Sequence, residues 1–159
     1  MKPFFIAGLL SAAVALPCLA GGTVDMSSVA SGQTNNIFHP INEGHFIVFT
    51  NTEYTANDQD DAGTILTGMK GECSGTLDLA PPAVSGQGHC VFRIATGDVT
   101  YTKRVATGMN AEGAITGDWS TVGGTGIFTG ATGGGSFATA TDRATGKTQN
   151  TITGTTELQ

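Results

Sequence analysis

The stretch GGTGIFTGATGGGSF, residues 123–137, places seven glycines and two phenylalanines in fifteen positions, and its reading decides the fold. As a nucleotide loop it fails on spacing. A dinucleotide fingerprint needs G-x-G-x-x-G between a strand and a helix; Gly124 and Gly126 begin it, but Thr129 stands where the third glycine belongs and no helical pattern follows. The GKT at 146–148 has the ending of a phosphate-binding loop, yet the glycine required five residues before Gly146 is Thr141. What remains is backbone that must bend sharply or admit a neighbouring strand closely, for which glycine is suited by its tolerance of positive φ and its missing Cβ. Gly123, Gly124 and Gly126 therefore read as structural, with Phe128 and Phe137 as core anchors on either side.

Outward from this stretch, glycine and threonine recur every few residues and helical three-four spacing never lasts beyond a turn. The chain is expected to be nearly all β. Alternation is clearest in HFIVFTNTEY (45–54), with Phe46, Val48, Thr50, Thr52 and Tyr54 on one face and His45, Ile47, Phe49, Asn51 and Glu53 on the other. Further strands are expected at 64–70, 73–79, 88–95, 99–107, 114–122, 135–141 and 148–157, punctuated by DDAG (60–63), APP (80–82), ATGD (95–98), MNAEG (109–113) and RATG (143–146). Loops this short leave no room for crossover helices, so the strands must be antiparallel neighbours in a barrel or sandwich. Residues 21–43 are expected to form an N-terminal arm or a first strand, and 44–159 the barrel domain.

The chain opens MKPFFIAGLLSAAVALPCLAGG: one cation at Lys2, an uncharged run over 4–16, then small residues. That is the layout of a secretory signal peptide over 1–20, with Cys18 and Ala20 at the −3 and −1 positions of a cleavage before Gly21. A lipid anchor on Cys18 is the rival reading, but Leu16 and Pro17 suit it poorly. The apolar run is too short to span a bilayer, so no membrane span is expected in the exported chain. Loss of Lys2 from the seven basic residues leaves six against thirteen acidic, a formal charge of −7. Such a field repels phosphate backbones and excludes nucleic acid as a natural partner. Cys73 and Cys90 remain, in a compartment where disulfides persist, and are expected to pair; free thiols or a metal pair are the alternatives. A bridge closing so short a loop would restrict the unfolded chain by roughly 3 kcal/mol.

GDWSTVGGTGIFTGATGGGSF (117–137), with GECSGT (71–76) and GQGHCVFRIATGD (86–98) before it, resembles small secreted bacterial proteins of the allene oxide cyclase and dirigent type. The resemblance covers residues 44–157, and the G-G-T-G segment is its most specific part. It implies an all-β fold, an eight-stranded antiparallel β-barrel of lipocalin-like outline, with the glycine segment making a tight connection between two late strands. In the bacterial group two cysteines are placed as Cys73 and Cys90 are here. Chemistry is not implied, since a fold hosts many functions.

Among polar residues, His39, His45 and His89 have no spacing of a zinc site, and NDQDDAG (57–63) lacks the oxygen ligands a calcium loop needs at Ala62 and Met69. No metal and no cofactor is expected. Neither a G-x-S-x-G elbow nor an unpaired thiol supplies a nucleophile, so no catalytic residue is assigned. Residues expected to reach a barrel cavity are Glu53, Tyr54, Tyr101 and Trp119; Cys90, Phe92 and Ile94 are expected in the core with Arg93 outside. The leading functional expectation is a secreted or periplasmic barrel that binds a small apolar ligand or serves a structural role. A cyclase or isomerase folding a reactive apolar substrate, with Glu53 as its acid if that residue faces inward, is the alternative, and a homo-oligomer joined through the outer face is a third. Intact mass of the exported protein should give a chain that begins at Gly21; a different start would refute the leader.

Overall fold

A computed structural model describes residues 21–59 and 63–159. The expected leader (1–20) and residues 60–62 of the expected acidic turn lie outside them. Among the described residues the strands are β1 (Thr23–Asp25), β2 (Ser28–Asn42), β3 (His45–Asn57), β4 (Lys70–Ala80), β5 (Ala83–Arg93), β6 (Val99–Met109), β7 (Ile115–Gly124), β8 (Thr132–Thr141) and β9 (Lys147–Glu157). Every pairing is antiparallel. From β2 to β9 each strand pairs with the next in sequence, and β9 returns to β2. The sheet therefore closes. β1 and β2 share one register against β9, Asp25 facing Thr155 and Ser28 facing Ile152, and Met26 N–H donates to the Gly154 carbonyl between them. The two are one interrupted barrel strand, so the barrel is eight-stranded.

Closure sorts every strand into an inner and an outer row. In β3 the row of Val48, Thr52 and Tyr54 is buried, while Phe49, Asn51 and Glu53 are exposed. In β4 and β5 the directly opposed Cys73 and Cys90 point inward and form a disulfide, with Cα atoms 4.0 Å apart. The hairpin between these strands turns on Pro81 and Pro82, with Ala80 facing Ala83. Bulges in the β6–β7 ladder at Tyr101/Thr102 and Ala106/Gly108 shift the row, and beyond the second it is Met109 that packs against the core.

The 123–137 stretch ends β7, makes a single 3-10 turn (Gly126–Phe128) and begins β8. Phe128 is fully buried with Ile94 and Ala131 beneath it, and Ile65, Met69, Ile127 and Leu158 pack around them. This cluster plugs one end of the barrel. Phe137 belongs instead to the central core with Val48, Leu79, Ala106 and Trp119. Glycine is required at two points. Gly126 has φ +54°, and a Cβ there would run into the Asp98 carboxylate; at Gly124 a Cβ would overlap Phe128 and the Val99 carbonyl.

One expected strand is corrected. Residues 64–69 form turns, with Thr67 N–H bonded to the Thr64 carbonyl and Met69 N–H to that of Leu66. Gly63 and Gly68, at φ +66° and +69°, let the backbone reverse. The apolar signal of Ile65, Leu66 and Met69 reflects burial in the barrel end and not strand pairing.

Gly126→Val should cost about 3 kcal/mol, from a β-branched residue at positive φ and the collision with Asp98. Thermal unfolding should then fall by roughly 10 °C. An unchanged transition would show that the segment is not under this constraint.

Candidate functional site

The inner rows leave a cavity of about 150 Å³ that opens at the rim where Phe38, Gly113 and Arg143 lie. Its lining surface is mainly apolar, with Val48, Leu79, Ala106, Met109, Ile115 and Phe137 among the residues that form it, interspersed with threonines such as Thr50, Thr52 and Thr76. A smaller chamber of about 50 Å³ lies toward Met26, Leu66, Phe92 and Trp119. Tyr54, Arg104 and Phe137 line both, and so form the waist of the barrel.

Arg104 is the unusual member. The inner row of β6 runs Thr100, Thr102, Arg104 and Ala106, which carries the side chain into the waist. Its guanidinium lies 3.7 Å from the centroid of the Phe137 ring, a cation–π contact. Nη2 donates to Thr139 Oγ1 at 3.0 Å and to Asn150 Oδ1 at 2.9 Å, and Nη1 makes a weak 3.8 Å contact with Cys73 Sγ. Thr139 Oγ1 donates to Asn150 Oδ1 at 2.8 Å, so the acceptors are tied together. Burial lowers the Arg104 pKa from its usual value, partly offset by the neighbouring Tyr54. A guanidinium nevertheless keeps its proton in a protein. Arg104 is half-buried; drawing a charge out of water without a counter-charge is expensive, and the acceptors here compensate only in part.

Further hydroxyls circle the interior. Thr34 Oγ1 lies 2.7 Å from Thr52 Oγ1 and 2.6 Å from Thr148 Oγ1, and Thr141 continues the ring at 3.0 Å from Thr148. These groups are satisfied by one another, as buried hydroxyls must be. Thr34, Thr52 and Thr141 line the wider chamber, which therefore has a hydroxyl-bearing wall beside its apolar one, with Arg104 at its inner end. An arrangement of this kind can hold an apolar body and present hydrogen-bond donors to one end of it.

The residues expected at the cavity divide into two pairs. Tyr54 and Trp119 are buried and line chambers, Trp119 also donating from Nε1 to the Thr153 carbonyl at 3.1 Å. Glu53 and Tyr101 are on the outer surface and are corrected: Glu53 stands opposite Glu72 on β4, and Tyr101, 41% exposed, stands opposite Val91 on β5. Arg93 is exposed and donates from Nη1 to the Gly97 carbonyl at 2.6 Å. Arg104 and Asn150 were not singled out by the sequence. On β6 the outer row of Tyr101, Lys103 and Val105 is the more apolar, and apolar alternation points it inward; the hydroxyl-rich inner row reverses that rule. An arginine flanked at two-residue spacing by Thr102 and Ala106 was the available signal.

No family model matches the chain. No curated protein matches it. Among solved structures, a pterocarpan synthase dirigent protein is similar to it, with a TM-score of 0.54 at 12% identity, over 87% of this chain and 91% of that one. The likeness supports the dirigent-type barrel and, at this identity, speaks to fold alone.

Asn150 is 1% exposed and its side chain is the acceptor shared by Arg104 and Thr139. Asn150→Leu should therefore destabilise the protein by about 3 kcal/mol, because it strips a half-buried cation of an acceptor. Urea unfolding reads this directly; a midpoint equal to that of the parent would show that the network contributes nothing.

Proposed function

We propose that the chain is a secreted or periplasmic binding module that takes a small apolar molecule into the wider chamber of its barrel. The observation that carries this reading is the solvent-connected cavity of about 150 Å³ with apolar walls, held open inside a sheet whose strands are otherwise closely packed. Pockets of this kind, apolar with a few convergent polar groups, are where small ligands bind. The disulfide is consistent with an oxidising compartment. No helix among the described residues is long and apolar enough to cross a membrane.

The allene oxide cyclase side of the resemblance would ask for an acid inside the barrel. Glu53 is outside, and among the described residues no carboxylate lines either chamber, so the binding reading is preferred to a cyclase or isomerase. Association between copies of the chain would use the outer face, where Ile37 and Phe49 stand opposite each other and are 54% and 50% exposed.

The test uses benzyl alcohol as a neutral probe of about the size of the cavity. Calorimetric titration should show binding to the parent protein, and Ala106→Phe, which projects a ring into the chamber, should weaken it at least tenfold. Equal binding by the two proteins would place the probe elsewhere and refute the reading.

A further inference from the structure

We propose that the natural ligand is an organic anion, a compact apolar molecule ending in a carboxylate, and that Arg104 at the waist receives that carboxylate. The inference rests on the binding reading above and adds the charge of the ligand and its orientation. Three observations converge on it.

The first is the imbalance of charge inside the barrel. Arg104 lines both chambers, and among the described residues neither chamber is lined by an aspartate or a glutamate. The chain has more acidic than basic residues, so a partner for a structural arginine was available in its composition and is not used here. Buried cations are normally paired. Arg104 instead meets the hydroxyls of Thr139 and Tyr54, an amide oxygen and a disulfide sulfur, none of them a carboxylate.

The second is geometry. A guanidinium presents five donors in a planar fork that matches a carboxylate bidentately. Nη2 is committed to Thr139 and Asn150, the Tyr54 hydroxyl also hydrogen-bonds the group, and Nη1 makes a long contact to sulfur. The group is fixed on Phe137, which holds the fork in place at the inner end of the wider chamber. An incoming carboxylate would complete its coordination without moving it.

The third is the second cation on the same chamber. Arg143 lines the cavity from the turn between β8 and β9. Its neighbour Asp142 is turned into the loop, where its carboxylate accepts from the Ala144 and Thr145 backbone N–H groups at 2.8 and 3.3 Å, and stays charged beside it. These contacts, the Ala144 bond foremost, hold its pKa below the usual carboxylate value. Arg143 is exposed and partly offset by Asp142, so the cation of the chamber that no carboxylate among its lining offsets is Arg104 at the waist. The external acidic residues oppose entry only over about 8 Å at physiological salt, and the ligand seated in the waist is shielded from them by the sheet.

The same features choose among anions. A phosphate dianion needs several donors and cations around it, and the waist supplies one fork. The apolar walls require a hydrocarbon body, and about 150 Å³ accommodates roughly one aromatic ring. Benzoate is the matching probe, and benzyl alcohol its neutral counterpart of nearly the same shape.

The experiment is a pair of calorimetric titrations at pH 7 on the disulfide-bonded protein. Benzoate is expected to bind at least tenfold more tightly than benzyl alcohol. Arg104→Met should abolish the preference while benzyl alcohol still binds, and Arg104→Lys, which keeps the charge but loses the fork, should keep part of it. If Arg104→Met does not fold, the parent and the lysine variant decide the matter between them. Benzyl alcohol bound as tightly as benzoate by the parent overturns the anion assignment and leaves the cavity reading standing. A benzoate preference undiminished in Arg104→Lys and, where it folds, in Arg104→Met assigns the anion to another group and also overturns it. Binding of neither probe removes the cavity reading and this proposal together.

Discussion

The structure depends on β9 hydrogen-bonding on both sides, to β8 over Thr132–Thr141 and to β1 and β2 over the N-terminal segment. A sheet left open at that seam would expose a row of unpaired backbone donors and acceptors and would have no interior. With the seam closed, each strand is divided by its pleat into a row that faces a confined volume and a row that faces water. Confinement then dictates residue type. Where the inner row is glycine, as at the ladder partners Gly75 and Gly88, the wall leaves room for the cavity; elsewhere larger groups such as Val48 and Phe137 fill the space. The cavity is what these choices leave over.

Polarity inside the barrel follows from the same confinement. Threonine is close in shape to valine and suits an extended backbone. Its hydroxyl can be buried where another hydroxyl lies on the neighbouring strand, which is the case for Thr34, Thr52 and Thr148. The Arg104 guanidinium needs more: an aromatic face beneath it, and acceptors on β8 and β9 that are themselves bound together. Four strands thus contribute to the setting of one charge, counting the Cys73 sulfur on β4. Rigidity around the waist is a consequence of that convergence.

How much of this was legible in the sequence depended on which rule each residue obeys. The all-β class, the antiparallel order and the turns at 95–98, 109–113 and 143–146 could be read because glycine and asparagine mark reversals by local chemistry: Gly113 has φ +82°, and Asn110 Oδ1 accepts from Ala114 N–H. The two rows of β3 were legible but not which of them faces inward, because Phe46 and Val48 on one are matched by Ile47 and Phe49 on the other. Residues 64–69 misled because β-branched and apolar residues mark burial as readily as strand. Tyr101 misled for a related reason: it is the large apolar group of its strand, but a narrow barrel has room inward only for Thr100 and Thr102, both buried, and leaves the ring outside. Arg104 was illegible locally, since its place depends on residues from 31 to 46 positions away.

The distribution of charge also bears on what kind of protein this barrel is. Among the described residues no carboxylate lines the chambers, and the ionisable side chains at the waist are Tyr54 and Arg104. The one histidine beside the wider chamber, His89, is exposed on β5, in the row opposite to Cys90. A lone fixed guanidinium is poorly suited to exchange protons, because it does not give its proton up near neutral pH. It is well suited to hold a charge of opposite sign in a volume from which water is largely displaced, where the attraction is stronger than at the surface. A fixed guanidinium and a tyrosine hydroxyl are thus what the waist presents to the interior of the barrel.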